Sequence, residues 1–210
     1  PLDAIALGAL FAALCGVAFA PPPRWWATAA TVLALVLALE DQSRWQPWFY
    51  QYVAMLGALA VARDAGDTLA AWRVVLVGLY LWSGIQKLNV TFMTRLFPWL
   101  VEPVAGVLPD GPRQILVACW IVVPITEIAV ALGLLVPGLG NTAVVAAIAT
   151  HVVVLGLLGP LAHGTNAVIW PWNVAMAALV ALLFWNARGV SALDTVVPRR
   201  IGAHAVMLAL

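Results

Sequence analysis

The only lysine in this chain, Lys87, closes one of its most apolar stretches, VVLVGLYLWSGIQKLN over residues 74–89. A lysine costs about 2.5–3.5 kcal/mol at the centre of a membrane helix and less near the end. An amine kept in apolar surroundings loses its proton more easily and can act as a neutral base. The chemistry on offer is proton abstraction from a weak acid dissolved in a bilayer. The plainer reading is a lysine that snorkels to the interface and anchors its helix. Glu127 stands inside a second apolar run, in PITE at residues 124–127. It is either the counter-charge of Lys87, an internal proton carrier, or a protonated carboxyl bonded to a helix carbonyl. His151 and His163 lie twelve residues apart, about 18 Å along a helix, too far to share one metal. No metal is expected; His151 reads as a core histidine or a partner of Glu127, and His163 as an orienting group.

Three polar clusters surround these candidates. Residues 40–46 read EDQSRWQ, residues 86–89 read QKLN, and residues 163–166 read HGTN. Asp41, Arg44, Trp45, Tyr50, Gln86, Asn89, His151 and Asn166 are the candidates for holding a small substrate, with Lys87, Glu127 and His163 at the chemistry. Asp41 and Arg44, one helical turn apart, read equally as a loop salt bridge. Trp45, Trp48, Tyr50, Trp170 and Trp172 read as interfacial belts or stacking surfaces, and Asn173 as a helix cap.

These residues must be positioned by helices. Of 210 residues, 64% are hydrophobic and 9% are charged, against about 25% charged in an ordinary soluble domain. A surface so poor in charge points to lipid as the solvent, where only helices and closed barrels satisfy the backbone. Apolar runs near twenty residues select helices. The expected fold is all-α, a polytopic transmembrane bundle of seven spans: 2–20, 25–40, 48–63, 68–88, 114–136, 142–162 and 169–187. Residues 89–113 predict a short interfacial helix or re-entrant piece, and Pro124 predicts a kink in the fifth span. After a basic loop, Arg188–Arg200, an eighth apolar run begins. The chain opens without Met and stops within that run, so it reads as one helical domain of a longer protein. Cys15 and Cys119 sit in apolar segments with no CxxC between them, a packing role.

The loops after spans one, three, five and seven hold Arg24, Arg63, Arg73, Arg188, Arg199 and Arg200, the richer set, which puts that side in the cytoplasm. The three polar clusters then share the opposite face, of what would be a bacterial inner membrane. A net charge of +1 gives no footing for nucleic acid. GxSxG, HExxH and Walker patterns are missing.

Tyr80–Phe92, YLWSGIQKLNVTF, resembles the Y-F-x-x-G-x-K-K-L-D-x-x-W segment of the vitamin K-dependent gamma-carboxylases, and Asp41–Tyr50, DQSRWQPWFY, resembles their D-x-x-x-W-N-N-H-x-Y. Gln86, Asn89, Phe92 and Trp48 depart from that pattern. The multi-helix frame is similar to HTTM-domain proteins, and residues 120–172 look like DoxX-type membrane proteins. The carboxylase resemblance implies that Lys87 is the base, that a vitamin K-like quinol is the cofactor, and that carbon dioxide and oxygen are co-substrates. Gln86, Asn89 and His163 would then stabilise the developing anion by hydrogen bonds. The DoxX-like likeness implies instead a non-catalytic subunit that binds quinone or another membrane protein. A transporter is the third reading, weakened by the lack of an inverted repeat.

Overall fold

The computed structural model describes residues 2–159, 162–164 and 167–186, and these are helical with no strand among them. Asn166, the basic loop and the apolar tail lie outside the described residues. The remainder falls into two compact units that divide within one helix, at residue 75.

The first unit holds α1 (Leu2–Phe19), α2 (Pro23–Glu40), a 3₁₀ turn (Gln42–Arg44), α3 (Pro47–Val61) and the first part of α4 (Ala65–Lys87). Pro23 and Pro47 open their helices, where a missing N–H costs nothing. α2 packs against both α1 and α3. Its inward seam is alanine at helical spacing, Ala27, Ala30, Ala34 and Ala38, all buried. Small side chains there let neighbouring backbones approach. Phe49 and Val53 of α3 fill the space beside Ala34 and Ala38. The Trp72 indole donates to the Met55 carbonyl at 2.8 Å and ties α4 to α3. α4 starts earlier than the sequence predicts, because Asp64 is a cap and not part of a turn. Its carboxylate accepts from the Asp67 N–H at 2.9 Å, which satisfies an orphan donor of the first helical turn.

The second unit begins inside α4 and continues through a π turn (Phe92–Leu96), α5 (Phe97–Ala105), α6 (Asp110–Ala118), a 3₁₀ turn (Cys119–Ile121), α7 (Val122–Leu135), α8 (Gly140–Leu158) and α9 (Ile169–Phe184). α7 packs on α8 and α8 on α9, while α5 folds onto α6 and touches α8. The short helix expected within residues 89–113 is the π turn with α5. The Pro124 kink takes the form of the 3₁₀ turn just before it. Pro124 has no N–H for the Trp120 carbonyl and its ring crowds that group, so the run Asp110–Leu135 divides into α6 and α7. Between α7 and α8 the Leu139 N–H donates to the Val136 carbonyl at 3.1 Å across a tight turn. Gly138 in that turn has φ +89°, a conformation that favours glycine.

Three helical runs are long and apolar enough to cross a membrane: Ala65–Lys87, Asp110–Leu135 and Gly140–Leu158. Asp3–Phe19 and Ile169–Phe184 are apolar but shorter. The 15 residues of α3 rise about 22 Å, less than the roughly 30 Å of a hydrocarbon core. Length and composition therefore single out fewer spans than the seven predicted from apolar runs. Large apolar side chains face outward throughout, among them Phe11, Trp82 and Leu182.

The alanine seam generates a prediction. Ala30 is fully buried, and Ala30→Leu would overpack the α1–α2–α3 unit by about 1–3 kcal/mol. A lower thermal unfolding midpoint in detergent is the expected outcome, with Val32→Leu, on an exposed position of the same helix, as the control.

Candidate functional site

The second unit carries two polar assemblies in apolar surroundings, and both use the same face of α4. Tyr80, Ser83, Gly84 and Lys87 recur at spacings of three and four, which stacks them along one side of a helix. α7 meets this face where α4 has no side chain. A Cβ on Gly84 would lie 2.8 Å from the Pro124 carbonyl oxygen and 2.7 Å from Ile128 Cγ1. Real side chains do not tolerate such distances, so the approach of α4 and α7 requires glycine at this position.

One turn along, the close approach is used. Lys87 Nζ donates to both carboxylate oxygens of Glu127, at 3.0 and 2.7 Å. It also donates to the hydroxyl of Ser83 and, at 3.3 Å, to the Ser83 carbonyl. The pair is largely withdrawn from solvent, with 28% of the Lys87 side chain and 13% of the Glu127 side chain exposed. The lysine is therefore neither snorkelling outward nor bare. It is an ammonium held between a carboxylate and a hydroxyl.

The second assembly lies two turns deeper. Tyr80, His151 and Asn173, from α4, α8 and α9, are all buried. The Tyr80 hydroxyl is 2.7 Å from His151 Nε2, and His151 Nδ1 is 2.8 Å from Asn173 Oδ1. Asn173 Nδ2 donates to the Ile169 carbonyl at 2.8 Å, which assigns the amide: its nitrogen faces the helix and its oxygen faces the ring. Nδ1 of His151 must then carry the proton, and Nε2 accepts from the Tyr80 hydroxyl. Asn173 thus orients an imidazole; it does not cap α9. Among the described residues His151 bonds to Tyr80 and Asn173 and not to Glu127.

The other candidates are spread around these two assemblies or belong to the first unit. His163 Nε2 donates to the Trp99 carbonyl at 2.7 Å and its ring stacks on the Trp99 indole at 4.2 Å; it ties the end of α8 to α5. The Asn89 amide is occupied locally, its oxygen accepting from the Phe92 N–H at 2.9 Å and its nitrogen donating to the Gln86 carbonyl, an arrangement of the N-cap kind. Gln86 is exposed, and its side chain bonds to none of the described residues. In the first unit Asp41 and Arg44 form the loop ion pair, 3.4 Å apart, and Arg44 also donates to the Leu37 carbonyl at 3.1 Å. The Ser43 hydroxyl and N–H, with Arg44 beside them, hold the Asp41 carboxyl below the usual carboxylate range. Trp45 packs on Phe49 and Tyr50 at ring distances of 5.4 and 5.3 Å. This is a self-consistent aromatic and ionic loop of its own unit. Among the described residues no group of three His, Cys, Asp or Glu gathers in a way that could hold a metal ion.

Where the π turn faces α6, Met93, Asp110, Arg113, Gln114, Val117 and Trp120 line an open groove of about 580 Å³. Its volume is within the range of small-molecule sites. Sequence reasoning passes over Tyr80, Ser83 and Asn173 as site residues. The signal for the first two is their helical spacing from Lys87; for Asn173 there is none short of knowing that α8 and α9 pack together.

No protein-family model, curated protein or solved structure matches this chain.

The ion pair generates the second prediction. An exposed pair contributes about 0–1 kcal/mol, whereas breaking a fully buried one costs about 3–5 kcal/mol. Lys87→Met and Glu127→Gln should each destabilise by an amount between those limits, since each strands a half-buried charged group. Lys87→Met combined with Glu127→Gln should cost less than the two single changes together, measured by a double-mutant cycle on thermal unfolding. Gly84→Ala should weaken the coupling in the same cycle by separating α4 from α7.

Proposed function

We propose that this chain is an integral membrane protein whose seven apolar helical stretches cross the bilayer, and that the Lys87–Glu127 pair serves as a base toward a quinol or another small lipophilic acid. The observation that carries this reading is the bidentate contact of the only lysine with a carboxylate inside apolar helices. Charges in such a place are expensive and belong by default to working sites. The likeness of the surrounding segment to the carboxylase lysine motif supports the same reading.

The pair has two protonation arrangements. As drawn by its geometry it is an ammonium with a carboxylate. Moving the proton across the 2.7 Å contact gives an amine and a carboxylic acid, and removes two charges from a poorly solvating environment. In that second arrangement the Lys87 nitrogen has a lone pair. It takes the hydroxyl proton of the substrate, and the anion that forms faces a newly made ammonium. Glu127 is then the group that primes Lys87, by holding the proton whose departure leaves the nitrogen its lone pair. Ser83, by accepting from Nζ, aims the amine. Vitamin K-like quinols are the cofactor class that the motif suggests, with the site on the non-cytoplasmic face of a bacterial inner membrane, as the arginine distribution suggests.

One observation favours a second reading, a non-catalytic DoxX-like subunit that binds quinone or a partner protein. Glu127 and Ser83 together occupy the donors of Nζ, a geometry that also fits a tie between α4 and α7. The two readings separate on one variant. With a reduced naphthoquinone as substrate in proteoliposomes, Lys87→Ala should lower oxygen-dependent quinol consumption at least about 100-fold, the usual scale of a lost acid–base group, while the protein stays folded in the membrane. Full activity of Lys87→Ala removes the base reading, and a stoichiometric membrane-protein partner that co-purifies regardless of residues 87 and 127 supports the second.

A further inference from the structure

The base reading leaves one buried assembly without a task. Tyr80, His151 and Asn173 join three helices through hydrogen bonds of 2.7 and 2.8 Å, in a region otherwise filled by apolar residues such as Leu76, Val144, Ala147 and Val180. A packed apolar core would hold α4, α8 and α9 together without the cost of burying three polar side chains.

The direction of the bonds is informative. The Ile169 carbonyl fixes the Asn173 amide, the amide oxygen fixes the proton on His151 Nδ1, and Nε2 is left as an acceptor for the Tyr80 hydroxyl. The imidazole therefore has one site for an additional proton, Nε2, and that site is covered by Tyr80. The tyrosine oxygen keeps lone pairs of its own. Tyr80 also stands on the same face of α4 as Ser83 and Lys87. Successive polar groups follow at about 4.5 Å and about 6 Å of helix rise, and the Ser83 hydroxyl already touches Lys87 Nζ.

We propose that Tyr80 relays protons between the Lys87–Glu127 pair and His151, so that His151 is the internal acceptor of the proton that the pair collects. In the step, Lys87 Nζ gives a proton to the Ser83 hydroxyl oxygen, the Ser83 hydroxyl proton moves to the Tyr80 oxygen, and the Tyr80 hydroxyl proton moves to His151 Nε2. One N–H bond breaks at Lys87 and one forms at His151, each hydroxyl exchanges one O–H bond for another, and no electrons are exchanged. The pair is thereby returned to the state in which it can take a second proton, while Asn173 holds the ring in register throughout. The inference rests on the base reading and gives that site a place to put its product.

The experiment uses the full chain in proteoliposomes, with isotope-labelled histidine rings, and follows the imidazolium band by infrared difference spectroscopy on addition of a reduced naphthoquinone. The chain has three histidines, and His151→Gln assigns the band. The unaltered protein should develop the His151 imidazolium signal. Tyr80→Phe keeps the ring and its packing and should lose at least nine-tenths of the signal, as should Lys87→Ala. Retention of the signal in Tyr80→Phe overturns the relay. Its absence from the unaltered protein, with Lys87-dependent quinol consumption intact, also overturns the relay and leaves the base reading standing. If Lys87→Ala consumes quinol at the full rate, the base reading and the relay fall together.

Discussion

The second unit turns on one steric fact: α4 and α7 touch backbone to backbone at Gly84. Because no Cβ intervenes, the Pro124 carbonyl can lie against α4, and a residue one turn further on each helix comes within direct hydrogen-bond reach of its counterpart. Lys87 and Glu127 are those residues. A wider spacing would leave an ammonium and a carboxylate separately buried, each at a cost of several kcal/mol. The glycine, the proline that redirects α7, and the ion pair are therefore one device. Removing any member changes what the other two can do.

The same face of α4 carries the second polar assembly. Tyr80 and Lys87 are two turns apart on a helix whose outer side bears Trp82, Ile85 and Leu88, all exposed. One helix thus presents a largely apolar surface outward and a ladder of donors and acceptors inward. The inner ladder is satisfied in full by α7, α8 and α9, as a polar network in a poorly solvating interior must be. The Asn173 amide matters more than its distance from the ion pair suggests, since it sets which imidazole nitrogen is free to accept.

Much of the helical plan can be read from hydropathy, because apolar runs and proline breaks are strong local signals. The departures have local causes as well. The start of α4 moves because Asp64 caps it, and α6 separates from α7 because Pro124 strips the Trp120 carbonyl of its partner. The site is legible where charge is rare: one lysine and one mid-helix glutamate stand out against 64% hydrophobic residues. It is illegible where the working groups are common. Tyrosine, serine and asparagine occur at helix ends for many reasons, and Tyr80 finds His151 71 positions away. Only the packing of α4, α8 and α9 gives that pair its meaning. Asn89 and Gln86 show the reverse case. Their nearness in sequence to Lys87 suggests a shared site, yet Asn89 is spent on closing a turn and Gln86 faces outward.

The π turn at Phe92–Leu96 does for the following segment what an added residue does for a ratchet. Phe97, Val101 and Ala105 follow one another at the ordinary interval of four, but Phe92 precedes Phe97 by five, and all four are buried together. A regular α-helical turn at this point would advance the remaining residues by about 100°. It would swing Phe97, Val101 and Ala105 off α6 and expose Trp99 to a different neighbour than His163. A single extra residue thus sets the rotational phase of α5. Shortening the turn by one position would be a phase shift, altering the orientation of the whole helix without changing the chemistry of any side chain in it.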